Sequence, residues 1–195
     1  MVPHLTVGRY RDWARRNGLS DYRTLAGLDT FYSGNGIVLR YRRSAPDEPV
    51  GGPSCLTYKC RQSPNDIRER TELDLFLDGT RVSDDVVEEF VKVLGLKESF
   101  TIKKESWICR LQVMSPEGHY TVVAALYDVL AGGTITRYLE VEIDKDGNID
   151  DSAARIILNG WIGNLQNSLR VGLPLNCSLY ELFAPRDELY LPGTF

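Results

Sequence analysis

Charged side chains alternate with apolar ones along three short segments of this sequence, basic in the first two. Arg40 and Arg42 alternate with Leu39 and Tyr41, Lys59 and Arg61 with Tyr58 and Cys60, and Arg70, Glu72 and Asp74 with Leu73 and Leu75. Further along, Glu140, Glu142 and Asp144 alternate with Leu139, Val141 and Ile143. Residues two apart on a strand project to one face, so each segment offers an apolar face and a charged face. Arginine forks match phosphate oxygens bidentately, and lysine adds a compact positive charge. Carboxylates hold a hard cation such as Mg²⁺ that bridges to phosphate. Basic strands followed by an acidic one are therefore the donor set for a polyphosphate and its metal counter-ion. The same pattern also describes a sheet with its apolar side on helices and its charges in water, with Glu140 and Glu142 as guards on an edge strand.

The charge is unevenly placed. Residues 1–70 carry 12 Lys or Arg and 7 Asp or Glu, and the rest of the chain carries 11 and 20. A duplex-binding protein would show one broad basic face, so duplex nucleic acid is not the expected partner. The longest uncharged apolar run, residues 122–127, is far too short to span a bilayer, and no apolar stretch follows the early arginines as in a secretory signal. The expectation is a cytoplasmic protein without a membrane partner. Cys55, Cys60, Cys109 and Cys177 read as reduced thiols, because only Cys55 and Cys60 are close and their spacing is not that of a zinc knuckle. The Ala131-Gly132-Gly133 segment reads as a hairpin turn; no Gly-Lys-Ser/Thr follows to make it a phosphate loop.

The elements that must carry these residues are mostly strands, expected over residues 36–43, 55–61, 69–77 and 135–144. Helices are expected over residues 9–17, 84–94 and about 152–169. The second is the clearest. Ser83 is a good N-cap, Asp84 and Asp85 suit the positive helix end, Gly95 stops it, and Val86, Val87, Phe90, Val91 and Leu94 form its stripe. Residues 44–53 read as a mobile loop. Trp13, Trp107 and Trp161 read as core residues. A sheet with charges on one face can also curl into a barrel with a charged interior and helices outside, which makes sense only around a polar ligand.

The order of these segments resembles the CYTH superfamily, the triphosphate tunnel metalloenzymes, over residues 28–183. Asp29-Thr30-Phe31-Tyr32 is similar to the family's Asp-Thr-Tyr-Tyr, Leu39-Arg40-Tyr41-Arg42 to its Leu-Arg-x-Arg, and Leu56-Thr57-Tyr58-Lys59 to its Leu-Thr-x-Lys. Arg70-Thr71-Glu72-Leu73-Asp74 resembles Arg-x-Glu-x-Glu, and Leu94-Gly95-Leu96 with Lys103-Lys104 resembles the Leu-Gly-Phe turn and its basic strand. Leu139-Glu140-Val141-Glu142 is similar to the Glu-Ile-Glu strand, and Ser178-Leu179-Tyr180-Glu181-Leu182 to the C-terminal helix.

The resemblance implies one domain over residues 1–195, mainly β with flanking helices (α+β), whose eight antiparallel strands close into a tunnel. It implies that Arg40, Arg42, Lys59, Arg61, Arg70, Lys103 and Lys104 bind a triphosphate. Glu72, Glu140, Glu142 and Asp128 would hold Mg²⁺ or Mn²⁺. The family's N-terminal Glu-x-Glu-x-Lys strand has no counterpart, since residues 1–8 contain no acid. Where the family has Leu-Asp-x-Val, Leu126-Tyr127-Asp128-Val129 shifts the acid by one residue, which on a strand reverses its face. The activity implied is metal-dependent hydrolysis of a triphosphate-bearing small molecule: a nucleotide, thiamine triphosphate or inorganic triphosphate. A module that binds nucleotide or polyphosphate without turnover is the second expectation, and a class IV adenylate cyclase or capping-type RNA triphosphatase variant the third.

Overall fold

The arrangement of the chain is that of a computed structural model. It describes all residues except 36, 45–52, 64–65, 79–81, 116–117, 146–148, 176 and 185–195, and the side chains of residues 44, 59–63, 66–72, 115 and 145 are also not described. The expected loop at 44–53 falls largely outside the described residues. In order, the elements are α1 (Val7–Arg16), β1 (Ser20–Gly34), β2 (Ile37–Ser44), β3 (Ser54–Ser63), β4 (Asp66–Leu77), α2 (Asp84–Val93), β5 (Lys97–Ser115), β6 (Gly118–Ala131), β7 (Thr134–Lys145), α3 (Asp151–Leu169) and α4 (Leu179–Phe183). The chain is mainly antiparallel β with flanking helices, as expected. The strand order is β4-β3-β2-β1-β5-β6-β7. The expected eight-stranded closed tunnel is not what the described strands show: they number seven, and β4 and β7 end the order. No described helix is long and apolar enough to cross a membrane.

The chain gathers into two compact units. The first comprises Met1–Leu25, Glu105–Val129 and Thr134–Pro174, and the second Ala26–Lys104, Leu130–Gly133 and Leu175–Phe195.

In the first unit, α1 starts at Thr6, whose hydroxyl accepts from the Arg9 amide, and ends with Arg15 and Arg16 against its negative pole. Tyr10, Trp13 and Ala14 are its buried stripe. They pack with Val122, Ala124 and Leu126 of β6 and Leu165 and Leu169 of α3. Polar anchors fix this packing. The Tyr10 hydroxyl donates to the Ala124 carbonyl at 2.7 Å, and Trp13 Nε1 donates to Asn164 Oδ1 at 2.8 Å. Trp107 and Trp161 border the same core, as expected. The turn after β6, which belongs to the second unit, is the expected one, with Gly132 and Gly133 at φ 54° and 79°, a left-handed pair that glycine adopts without strain.

In the second unit, α2 lies over Tyr32, Leu39, Tyr41 and Leu56, and buries Val87 and Val91. The Tyr41 hydroxyl donates to Asp84 Oδ1 at 2.6 Å, fastening the first turn of α2 to β2. Burial first, and then that bond to a carboxylate, push the Tyr41 phenol up to about 12. Val86, Phe90 and Leu94 of the expected stripe are exposed, because the covered surface takes only the Val87 and Val91 face of the helix. The expected apolar face of β4 also differs, since Leu73 and Leu75 are exposed at the end of the strand order.

Candidate functional site

Strand register assembles the basic face of the second unit. Across β1 and β2, Asp29 stands opposite Arg42 and Phe31 opposite Arg40. Across β2 and β3, Arg40 stands opposite Thr57 and Arg42 opposite Cys55. Across β3 and β4, Thr57 faces Asp74, Lys59 faces Glu72 and Arg61 faces Arg70. Directly opposite residues share a face, so the expected phosphate positions on β2, β3 and β4 form one row of register positions. Leu39, Tyr41 and Leu56 fall on the other face, under α2.

Asp29 organises this row. Its carboxylate is 1% exposed and accepts from Arg42 Nε at 2.7 Å and Nη2 at 2.8 Å. Burial alone would raise this carboxyl. The Arg42 hydrogen bonds and charge, with the charges of Arg40 and Lys104, outweigh burial and hold it at about 2. Arg40 Nη2 donates to Thr57 Oγ1 at 2.9 Å, and Thr57 donates in turn to Asp74 Oδ1 at 2.6 Å. Arg40 Nε is buried and has no hydrogen-bond partner among the described residues. Lys104 is half-buried and lies within the field of Asp29, whereas Lys103 is exposed. Beyond Asp29 the same sheet carries an aromatic cluster, with Phe31 stacked on Phe100 at 4.7 Å and Tyr180 against both.

The expected metal residues divide. Glu72 holds its register position beside Lys59 in the second unit. Glu140 and Glu142 belong to the first unit. They share a face with Tyr127 and Tyr138, whose rings stack at 5.6 Å. Burial, then the charges of Glu140 and Glu142 and a hydrogen bond to Glu140, push the Tyr127 phenol well above its ordinary value. Asp128 is not brought to that face. Its two oxygens accept from Arg137 Nε and Nη2, each at 2.6 Å, on the side where Leu139 and Val141 meet the core. The face of Glu140 and Glu142 thus carries the Tyr127 phenol and not the Asp128 carboxylate. Among the described residues, no group of three or more His, Cys, Asp or Glu is placed to hold a metal ion.

Sequence reasoning missed Asp29 as a site residue, along with Arg137 and the Tyr127–Tyr138 pair. Asp29 had a signal, since it alternates with Phe31 and Ser33 in a segment otherwise free of charge. Cys55, Cys109 and Cys177 are free thiols, as expected, and burial pushes each of them up, away from nucleophilic use.

No family model and no curated protein matches the sequence. The fold does match solved structures. A conserved hypothetical protein from Pyrococcus furiosus is 18% identical, with a TM-score of 0.62 over 91% of this chain and 94% of its own. A protein from Pyrococcus horikoshii OT3 is 15% identical, with a TM-score of 0.62 over 91% and 93%. These likenesses establish the fold alone, and neither protein's name states an activity.

Proposed function

We propose that this protein binds the phosphate chain of a triphosphate-bearing small molecule on the basic face of its second unit, and hydrolyses it with the help of Mg²⁺ or Mn²⁺. The observation that carries the reading is Arg40. A buried guanidinium N–H without an acceptor costs free energy unless a ligand completes it, and an anion is the ligand a guanidinium takes. Arg42 supports it: two of its N–H groups are fixed by Asp29, which holds the fork in one orientation before any ligand arrives. Lys104 adds charge beside them, and Lys59, Arg61 and Arg70 extend the row in register.

Phosphoryl transfer asks a protein mainly for positioning and charge neutralisation, and this face provides both. When bound, a divalent cation would draw charge from the phosphate oxygens. Within the first unit, Glu140 and Glu142 are hard oxygen donors on one strand face, and Mg²⁺ takes one or two carboxylates and keeps several waters. Glu72 holds a register position on the basic face itself, as does Asp74. Asp128, committed to Arg137, has no part in the proposal. That commitment favours the second reading, a module that binds without turnover.

The test is incubation with inorganic triphosphate, nucleoside triphosphates and thiamine triphosphate, with and without Mg²⁺ or Mn²⁺, following phosphate release and melting temperature together. Binding only to the native state at 100 times Kd stabilises by about 2.7 kcal/mol, a shift of several degrees. Arg40→Ala should abolish the shift and keep the fold. Phosphate release should be slow and metal-stimulated. A shift undiminished in Arg40→Ala overturns the site, and a metal-independent shift without phosphate release selects the second reading.

A further inference from the structure

We propose that two copies of this chain pair edge to edge along β4 into a two-fold symmetric dimer, an inference that does not rest on the anion reading. β4 ends the strand order and is hydrogen-bonded to β3 on one side. It spans 12 residues, long for an edge, and exposes Leu73 at 61%, Leu75 at 58% and Phe76 at 64%. Proteins usually blunt such edges with short strands or a cover, because an open apolar edge templates further pairing.

The sequence of β4 says what that pairing strand is. Around Thr71 it reads Arg68, Arg70 on one side and Glu72, Asp74 on the other, at alternate positions. Antiparallel pairing about a two-fold axis at Thr71 sets Arg70 opposite Glu72 of the second copy and Arg68 opposite its Asp74, twice over by symmetry. Ile67 then stands opposite Leu75 of the second copy. An axis moved one residue either way would set Arg70 or Glu72 against its own copy, so charge alone selects the register. Within one chain the register position of Arg61 is opposite that of Arg70, and the pairing would set the Glu72 position of the second copy on the other side of Arg70. Occupants other than a second copy lack this complementarity.

The test is the mass in solution by light scattering and sedimentation over a micromolar concentration series. The unmodified chain should run at twice its 22.0 kDa mass. Arg68→Glu with Arg70→Glu makes the row wholly acidic, and Glu72→Arg with Asp74→Arg makes it wholly basic. Each variant should be monomeric, and mixing the two should restore the dimer mass. Asp74 also accepts from Thr57, so Leu75→Lys, at an exposed position set opposite Ile67 of the second copy, gives a second check: a monomer with an unchanged circular dichroism spectrum. A monomeric unmodified chain at every concentration, or a dimer that persists in all three variants, overturns the proposal.

Discussion

Asp29–Arg42 and Asp128–Arg137 are the same device in two different settings. Each is a carboxylate gripped through Nε and Nη2 of an arginine on the following strand, at 2.6–2.8 Å. In the first unit the pair serves the fold. Arg137 also donates to the Leu5 carbonyl at 2.9 Å, its carbonyl accepts from the Val2 amide at 2.8 Å, and its guanidinium lies 5.5 Å from the Trp107 ring. The cation and its backbone thus tie the N-terminal segment to β7. In the second unit the pair sits on the charged face, with Arg40 and Lys104 in its field and a buried Arg40 donor that has no partner among the described residues. There the pair orients one cation while an excess of positive charge remains. An ion pair reads as structural or functional from what its surplus donors meet.

The largest effect expected follows from the burial of Asp29. Arg42→Ala leaves that carboxylate without its counter-charge and should cost about 3–5 kcal/mol in urea unfolding. Arg137→Ala removes hydrogen bonds from a carboxylate whose side chain is 21% exposed and rehydrates in part, so about 2 kcal/mol is expected. The two should also part in ligand response, with the triphosphate-induced rise in melting temperature kept in Arg137→Ala and lost in Arg42→Ala. Equal costs and equal ligand responses would erase the distinction between the pairs.

Acid should test the Asp29 pair as well. Burial works to raise the Asp29 carboxyl, yet Arg42, Arg40 and Lys104 hold it at about 2. A carboxyl depressed in the folded state stabilises the protein above its unfolded value, near 4, and that contribution is lost as pH falls toward 2. The loss corresponds to about 2 kcal/mol, read as a fall in the urea midpoint across that window. Asp29→Asn should flatten the fall. A midpoint that does not move between pH 4 and 2 would contradict the assignment.

What was legible in the sequence was whatever alternation writes locally. The strands at β2, β3, β4 and β7, the helix of residues 84–93 and the Gly132-Gly133 turn all stand where expected, because period and turn chemistry are properties of neighbouring residues. The row of Arg40, Lys59 and Arg70 positions followed from the same period once the register was known. What stayed hidden were partnerships made by pairing. Asp29 finds Arg42 and Asp128 finds Arg137 across strand pairs whose register the sequence does not print, so Asp128 read as a metal residue. The 19 residues of β5 were also missed beyond a short stretch, since their alternation is broken by Lys103-Lys104-Glu105. The exposure of Leu73 and Leu75 depends on where β4 falls in the strand order, which no local pattern encodes.

The smallest expected effect concerns the acidic face of the first unit. Tyr127 is buried, stacks on Tyr138 and is hydrogen-bonded to Glu140. Tyr127→Phe keeps the stacked ring and removes one hydroxyl, so the cost at pH 7 should be about 1 kcal/mol, the net worth of a single hydrogen bond. Burial, followed by the Glu140 and Glu142 charges, raises this phenol, so its contribution is complete below the ordinary tyrosine value of 10.0 and is lost as pH climbs toward the raised folded value. The Phe variant should therefore lose less stability than the unmodified chain between pH 10 and 11, a difference readable in paired urea midpoints. The same variant sharpens the contrast between the units. It leaves Asp29, Arg40 and Arg42 untouched, so triphosphate stabilisation should be unchanged, while Glu140 loses the donor that holds its carboxylate. Mn²⁺ binding at that carboxylate pair, read by electron paramagnetic resonance, should then need a higher concentration. A variant with unaltered metal dependence would show that Tyr127 supports the fold and not the carboxylate pair.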